Sequence, residues 1–141
     1  DFDMKEEYYS ASRKDVIRGM HFQVPPADHK KMVYCLSGSV LDVMLDLRPG
    51  VNYGKVASTI ISSENRQVIL IPKGIAHGFL ALEDNSLMLY KTSTIHAPAF
   101  DRGILWDSFG FDWNITNPIV SDRDQRHSEF AEFDQLVFRN T

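Results

Sequence analysis

Leu41-Asp42-Val43-Met44-Leu45-Asp46-Leu47-Arg48 alternates without a break: Leu41, Val43, Leu45 and Leu47 form one row, and Asp42, Met44, Asp46 and Arg48 the other. Successive side chains of a strand point to opposite faces, so a period of two predicts a strand with one apolar and one mixed, polar face. The polar face reads as inhabited. Pro49 to Gly54 is a turn, a second strand runs from Lys55 to Ser62, and Ser63 to Arg66 breaks the chain again. Gln67 to Ile71 and Gly78 to Leu82 flank the turn Pro72-Lys73-Gly74, and Leu87 to Thr92 is one more strand. Many short strands separated by Gly, Pro and Asn turns predict an all-β sandwich or barrel. The acidic, aromatic tail from His127 to Phe138 is read as a short helical or irregular segment packed on it.

Composition bounds the function. At 141 residues one domain spanning 1–141 is the expectation, and a chain of this size can bury roughly 68% of its unfolded surface. A formal net charge of -4 and a pI near 5.7 give no reason to expect a nucleic-acid partner, so an anionic ligand must meet a local cationic patch. No apolar run is long enough to span a membrane, and the start lacks a basic-then-apolar signal pattern. Cys35 stands alone, which rules out an internal disulfide and favours a cytoplasmic protein with Cys35 as a small buried residue.

Upstream, Arg18-Gly19-Met20-His21-Phe22-Gln23 sets an arginine and a histidine three residues apart around a glycine that lets a ligand or a second backbone come close. Taken alone, His21 reads as an ordinary core or surface residue. Its company changes that: Lys31, the Ser37 to Arg48 block, Ile71-Pro72-Lys73-Gly74-Ile75-Ala76-His77-Gly78-Phe79, Leu89-Tyr90-Lys91, Arg102 to Asp107, and Ser121-Asp122-Arg123-Asp124. In this order and spacing, from about Val16 to about Arg126, the blocks resemble the dTDP-4-dehydrorhamnose 3,5-epimerase family. The resemblance implies a double-stranded β-helix, the cupin jelly roll. It also implies a homodimer that needs no cofactor and a nucleotide-diphosphate sugar as substrate.

Inverting a carbon next to a ketone needs a base, a group that holds the enolate, and an acid on the opposite face. His21 suits the base, since imidazole titrates near neutrality and a positioned base contributes about 10²–10⁴-fold. By itself Asp124 reads as a turn carboxylate and Tyr90 as a strand aromatic. The resemblance makes Asp124 the partner of His21, fixing its tautomer, and Tyr90 the acid, protonated at neutral pH. Lys31 and Arg18 suit the developing oxyanion and the diphosphate. His77 falls where the family has a histidine near the sugar, His96 where a second tyrosine is common, and Asp101 where a glutamate is common.

The chain also departs from the family. An Asp-x-Arg-Gly-x-Phe-x-Glu motif near the N-terminus, which in the family crosses to the partner subunit, is not found, and Phe2 to Tyr9 are expected to supply a shortened replacement. Of a Gln-x-Asn-x-Ser pattern, here Glu6, Tyr8 and Ser10, only the serine matches. Cupins that hold a metal use a closely spaced His-x-His, which this sequence lacks, so no metal is expected. The expected reaction is epimerisation at C3, C5 or both of a nucleotide-linked 4-keto-6-deoxy sugar. A non-catalytic sugar-nucleotide-binding cupin and a 3,4-ketoisomerase are the alternatives.

Overall fold

The period-two segment lies largely in a strand, Ser39–Asp46, which begins two residues before Leu41 and ends before Leu47 and Arg48, with neither face left to water. The computed structural model describes residues 1–141. Eight main strands run in chain order: β1 (Glu6–Ser12), β2 (Val16–Gln23), β3 (Lys31–Ser37), β4 (Ser39–Asp46), β5 (Val56–Ser62), β6 (Val68–Ile71), β7 (Ile75–Ala81) and β8 (Ser86–Thr92). They make two antiparallel sheets, ordered β1-β8-β3-β6 and β2-β7-β4-β5, which is jelly-roll order. Two short strands extend the second sheet beside β2, namely β9 (Asp101–Gly103) and β10 (Ile119–Val120). No helix is long and apolar enough to cross a membrane.

The alternation in β4 now has a physical reading on both sides. Val43, Leu45 and Leu47 face outward and are buried against Ile17, Leu80, Ile104, Trp113 and Phe138, so the segment after β9 covers the back of the second sheet. The other row points between the sheets. There Val40 packs with Val33, Cys35, Ile61, Ile71, Phe79, Met88 and Tyr90, and Asp42 is wholly buried.

Some boundaries differ from expectation. The strand after Gly74 begins at Ile75 rather than Gly78, because Gly74 takes a φ of +76° and completes the turn. The helical turn α1 spans Asp122–Gln125, ahead of the tail, while 127–138 carries only 3-10 turns at Phe130–Glu132 and Gln135–Phe138. Ser128 is bridged to Ile104, and the Asp134 carboxylate accepts the Leu136 N–H and starts a separate turn, so one helix does not form. Within the Phe2 to Tyr9 segment, Glu6 to Tyr9 lie in β1 and pair with β8.

One irregularity positions the site. Between Arg18↔Phe79 and His21↔His77, β2 uses one residue more than β7, a bulge at Gly19 and Met20. In a regular strand, residues three apart face opposite ways. The bulge turns Arg18 and His21 to the same side. Gly19, at φ +126°, lies so close to β7 that an added Cβ would stand 2.6 Å from the Gly78 Cα and 2.9 Å from the His77 carbonyl oxygen. The Met20 N–H and carbonyl, displaced from the β7 ladder, bond instead to Ile104.

Candidate active site

A cavity of about 320 Å³ opens between the sheets, with walls from β1, β2, β3, β7 and β8. His21, Arg18, Lys31, His77, Tyr90, His96 and Asp101 all line it. Asp124 stands behind His21 rather than on the wall. It arrives there because β10 pairs in parallel with the start of β2, Ile119↔Val16 and Val120↔Ile17, which sets α1 beside Gly19. Ser121 caps α1 by accepting the Asp124 N–H, so the carboxylate is held on a fixed turn.

His21 Nε2 lies 2.6 Å from Asp124 Oδ1, and Oδ2 accepts the Gly19 N–H at 3.0 Å. Burial alone would raise the Asp124 carboxyl, but hydrogen bonds from His127 and His21 outweigh it and hold the group well below the usual carboxylate range. An ionised Asp124 can only accept, so Nε2 of His21 carries the proton and Nδ1 keeps its lone pair. Burial, with help from the charges of Lys31 and Arg123, lowers the His21 pKa against the pull of Asp124. The base is therefore free at neutral pH.

Tyr90 stands on β8, in the opposite sheet. Its Oη is 3.0 Å from Ser10 Oγ, and the Tyr8 ring stacks on it with centroids 4.6 Å apart and planes 8° from parallel. Burial pushes the phenol pKa far up, so Tyr90 keeps its proton and is fitted to donate rather than to abstract. Lys31, also buried, donates from Nζ to the His21 carbonyl at 3.3 Å. Burial lowers its pKa to about 8 against the pull of Asp101 and Asp42, so the ammonium is the main form at neutral pH.

Arg18 is braced on β1, its Nε donating to Ser12 Oγ at 2.9 Å and Nη2 to the Ala11 carbonyl at 3.1 Å. Neither Arg18 nor Lys31 is paired with a carboxylate, so the wall carries two cations without counter-ions. Asp101 is spoken for by Arg123, another cavity residue. His77 is buried and makes a second imidazole-carboxylate pair, Nε2 to Asp42 Oδ1 at 2.6 Å. His96 is exposed at the rim, where its backbone N–H donates to Glu6.

Asp42, Tyr8, Arg123 and His127 are the participants that sequence reasoning passed over. Asp42 carried a signal, a carboxylate in the polar row of the alternating strand. His127 carried a weaker one, its position three residues after Asp124, one turn on. The donor atoms of His21, Asp124 and His127 converge within 4.8 Å of one another, a convergence that the spacing of the histidines did not signal. Their 2.6 Å closest approach is a hydrogen bond. Two ligands about 2.0–2.1 Å from one tetrahedral zinc stand roughly 3.3 Å apart, so the group is arranged as a proton-sharing set rather than a metal cage.

A family model described as dTDP-4-dehydrorhamnose 3,5-epimerase matches residues 1–132. The dTDP-4-dehydrorhamnose 3,5-epimerase of Escherichia coli (strain K12) is 40% identical over 125 residues, covering 86% of this chain and 68% of that one. Among solved structures, a dTDP-6-deoxy-D-glucose-3,5-epimerase from Legionella pneumophila Philadelphia 1, in complex with dTDP-4-keto-L-rhamnose, superposes with a TM-score of 0.91 at 29% identity, covering 99% of this chain and 77% of that one. A 3'-monoepimerase from Streptomyces bikiniensis, in complex with dTDP-quinovose, gives 0.88 at 26% identity, covering 93% and 68%.

Proposed function

The chain belongs to the dTDP-4-dehydrorhamnose 3,5-epimerase family, whose members are isomerases, and from this we propose that it inverts C3, C5 or both of a nucleotide-linked 4-keto-6-deoxy sugar. The observation that carries the reading is His21 on one sheet, backed by Asp124 of α1, facing Tyr90 on the other sheet across a single cavity. His21 Nδ1 removes the proton next to the ketone, and the imidazolium that forms is held by Asp124. The electron pair moves onto the ketone oxygen, where the Lys31 ammonium meets the developing charge. Tyr90 returns a proton from the opposite face. Arg18 takes the diphosphate, and His77, oriented by Asp42, hydrogen-bonds the sugar. His96 stands at the rim, and Asp101 on the wall acts with Arg123.

Incubation with a panel of 4-keto sugar nucleotides in deuterated water, followed by NMR of the products, tests the reading. Deuterium at the inverted carbon supports it and shows how many centres are inverted. Binding without exchange would make the protein a sugar-nucleotide-binding cupin, and a carbonyl moved to C3 would make it a ketoisomerase.

Lys31 adds a pH prediction. Its charge is present below about pH 8 and is lost above it, so kcat/KM should fall on the alkaline side with a midpoint near that value. The Lys31→Met variant should be slow and lack this limb. A parent profile flat to pH 9.5 would remove Lys31 from the charge-stabilising role.

We also infer a homodimer. Tyr9, Leu36, Val68 and Leu70 are exposed on the outer side of the first sheet, and the register sets Tyr9, Leu89, Tyr34 and Val68 in one row across it. An apolar row of this kind favours a symmetric partner. Light scattering at micromolar concentration should give twice the chain mass; a monodisperse monomer overturns the inference.

A further inference from the structure

Asp124 serves two imidazoles with one oxygen. Nε2 of His21 and Nε2 of His127 lie 2.6 and 3.1 Å from Oδ1, while Oδ2 is occupied by the Gly19 N–H. His127 is held there by its place one turn after Asp124 and by Gly103, where an added Cβ would come within 2.4 Å of the same Nε2. The two rings meet edge to face with centroids 5.6 Å apart. His127 does not line the cavity, and no step of the reaction uses it.

Building on the reading of His21 as the base, we propose that His127 is a positioning residue, one that divides the charge of Asp124 between two N–H donors and thereby limits how strongly His21 holds a proton. A carboxylate oxygen that already accepts one N–H offers less to a second, so the His21 imidazolium gains less from the pair than it would from an unshared Asp124. The remaining surroundings agree. Lys31 on β3 and Arg123 on α1 both oppose a positive charge on His21. The Asp101 carboxylate on β9 is taken by Arg123, and His77, directly across on β7, is taken by Asp42. Asp124 is thus the one group favouring the imidazolium, and His127 is placed to weaken it.

The test reads the His21 pKa by imidazole NMR on ligand-free protein, alongside the acid limb of kcat/KM, in the parent, His127→Leu and His127→Gln. In the parent, His21 should titrate below the free-imidazole value of about 6.5. His127→Leu removes the N–H and should raise the His21 pKa by about one unit. The acid limb should move up equally, a loss of about tenfold in kcat/KM at a pH below both values. Glutamine, whose amide nitrogen can reach Oδ1, should hold both near the parent. A His127→Leu titration that superimposes on the parent's, or a His127→Gln titration that moves with leucine's, overturns the proposal. If the leucine variant does not fold, a parent His21 titrating at or above 6.5 overturns it as well. The NMR titration needs no turnover: a pKa that moves without its acid limb faults His21 as the base and leaves the coupling standing.

Discussion

His21→Ala or His21→Asn should lower deuterium incorporation next to the ketone by about 10²–10⁴-fold, the usual contribution of a positioned base. The expectation rests on geometry more than on residue type, because five histidines are present and four stand at or beside the cavity wall. His96 is exposed at the rim. His29 is held by burial and nearby cations at a pKa of about 3, too weak a base for the task. His77 is the serious competitor, since it too has a carboxylate partner and lies opposite His21 in the β2–β7 register. It is nearly sealed from solvent, whereas the His21 side chain is 29% exposed into the cavity. Exchange at the parent rate in the His21 variants, abolished only when His77→Asn is added, would move the base to His77. Asp124→Asn should also slow exchange on the order of 10²-fold or more, since the amide no longer supplies the charge that fixes the tautomer and balances the imidazolium. Circular dichroism should show that variant folded.

These assignments were legible to different degrees. The alternating row at Leu41 to Arg48 predicted a two-faced strand, and both faces are used as read, because strand periodicity is a local property of the chain. The site blocks were also visible, and seven of the eight candidate residues line the cavity, with the eighth behind His21. What was not legible depends on contacts between segments distant in sequence. Arg18 and His21 share a face only through a bulge that appears when β2 is set against β7. Tyr8 and Ser10 flank the Tyr90 phenol only because β1 pairs with β8, Tyr8 opposite Tyr90. The tail showed aromatic residues and an acidic character, but it is broken into 3-10 turns, and Ser128 at its start is bridged to Ile104, a contact that no local pattern announces.

The stack of Tyr8 on Tyr90 sharpens the test of the acid. If His21 removes the proton and Tyr90 returns one from the other sheet, Tyr90→Phe should still exchange the proton next to the ketone for deuterium, because abstraction and same-face return both need only the base. Net inversion should fall by about 10²-fold or more while exchange stays within a few-fold of the parent. The substitution removes one hydroxyl and the Ser10 hydrogen bond, about 0.5–1.5 kcal/mol, too little to unfold a barrel whose sheets pack through the rest of the cluster around Phe79 and Met88. Lys31→Met should behave differently, slowing exchange and inversion together, since the enolate itself loses its counter-charge. The ratio of inversion to exchange thus separates acid from electrostatic support in a way that kcat alone does not. If Tyr90→Phe inverts as fast as the parent, the acid is another group on the same wall. Tyr8 becomes the first suspect, because its phenol lines the cavity and its pKa is pushed up by desolvation against the wall, with Glu6 and Asp101 adding to it, although the residue as a whole is 41% exposed; a Tyr8→Phe variant that then blocks inversion while sparing exchange would assign it, and equal inversion in both would move the search to His96.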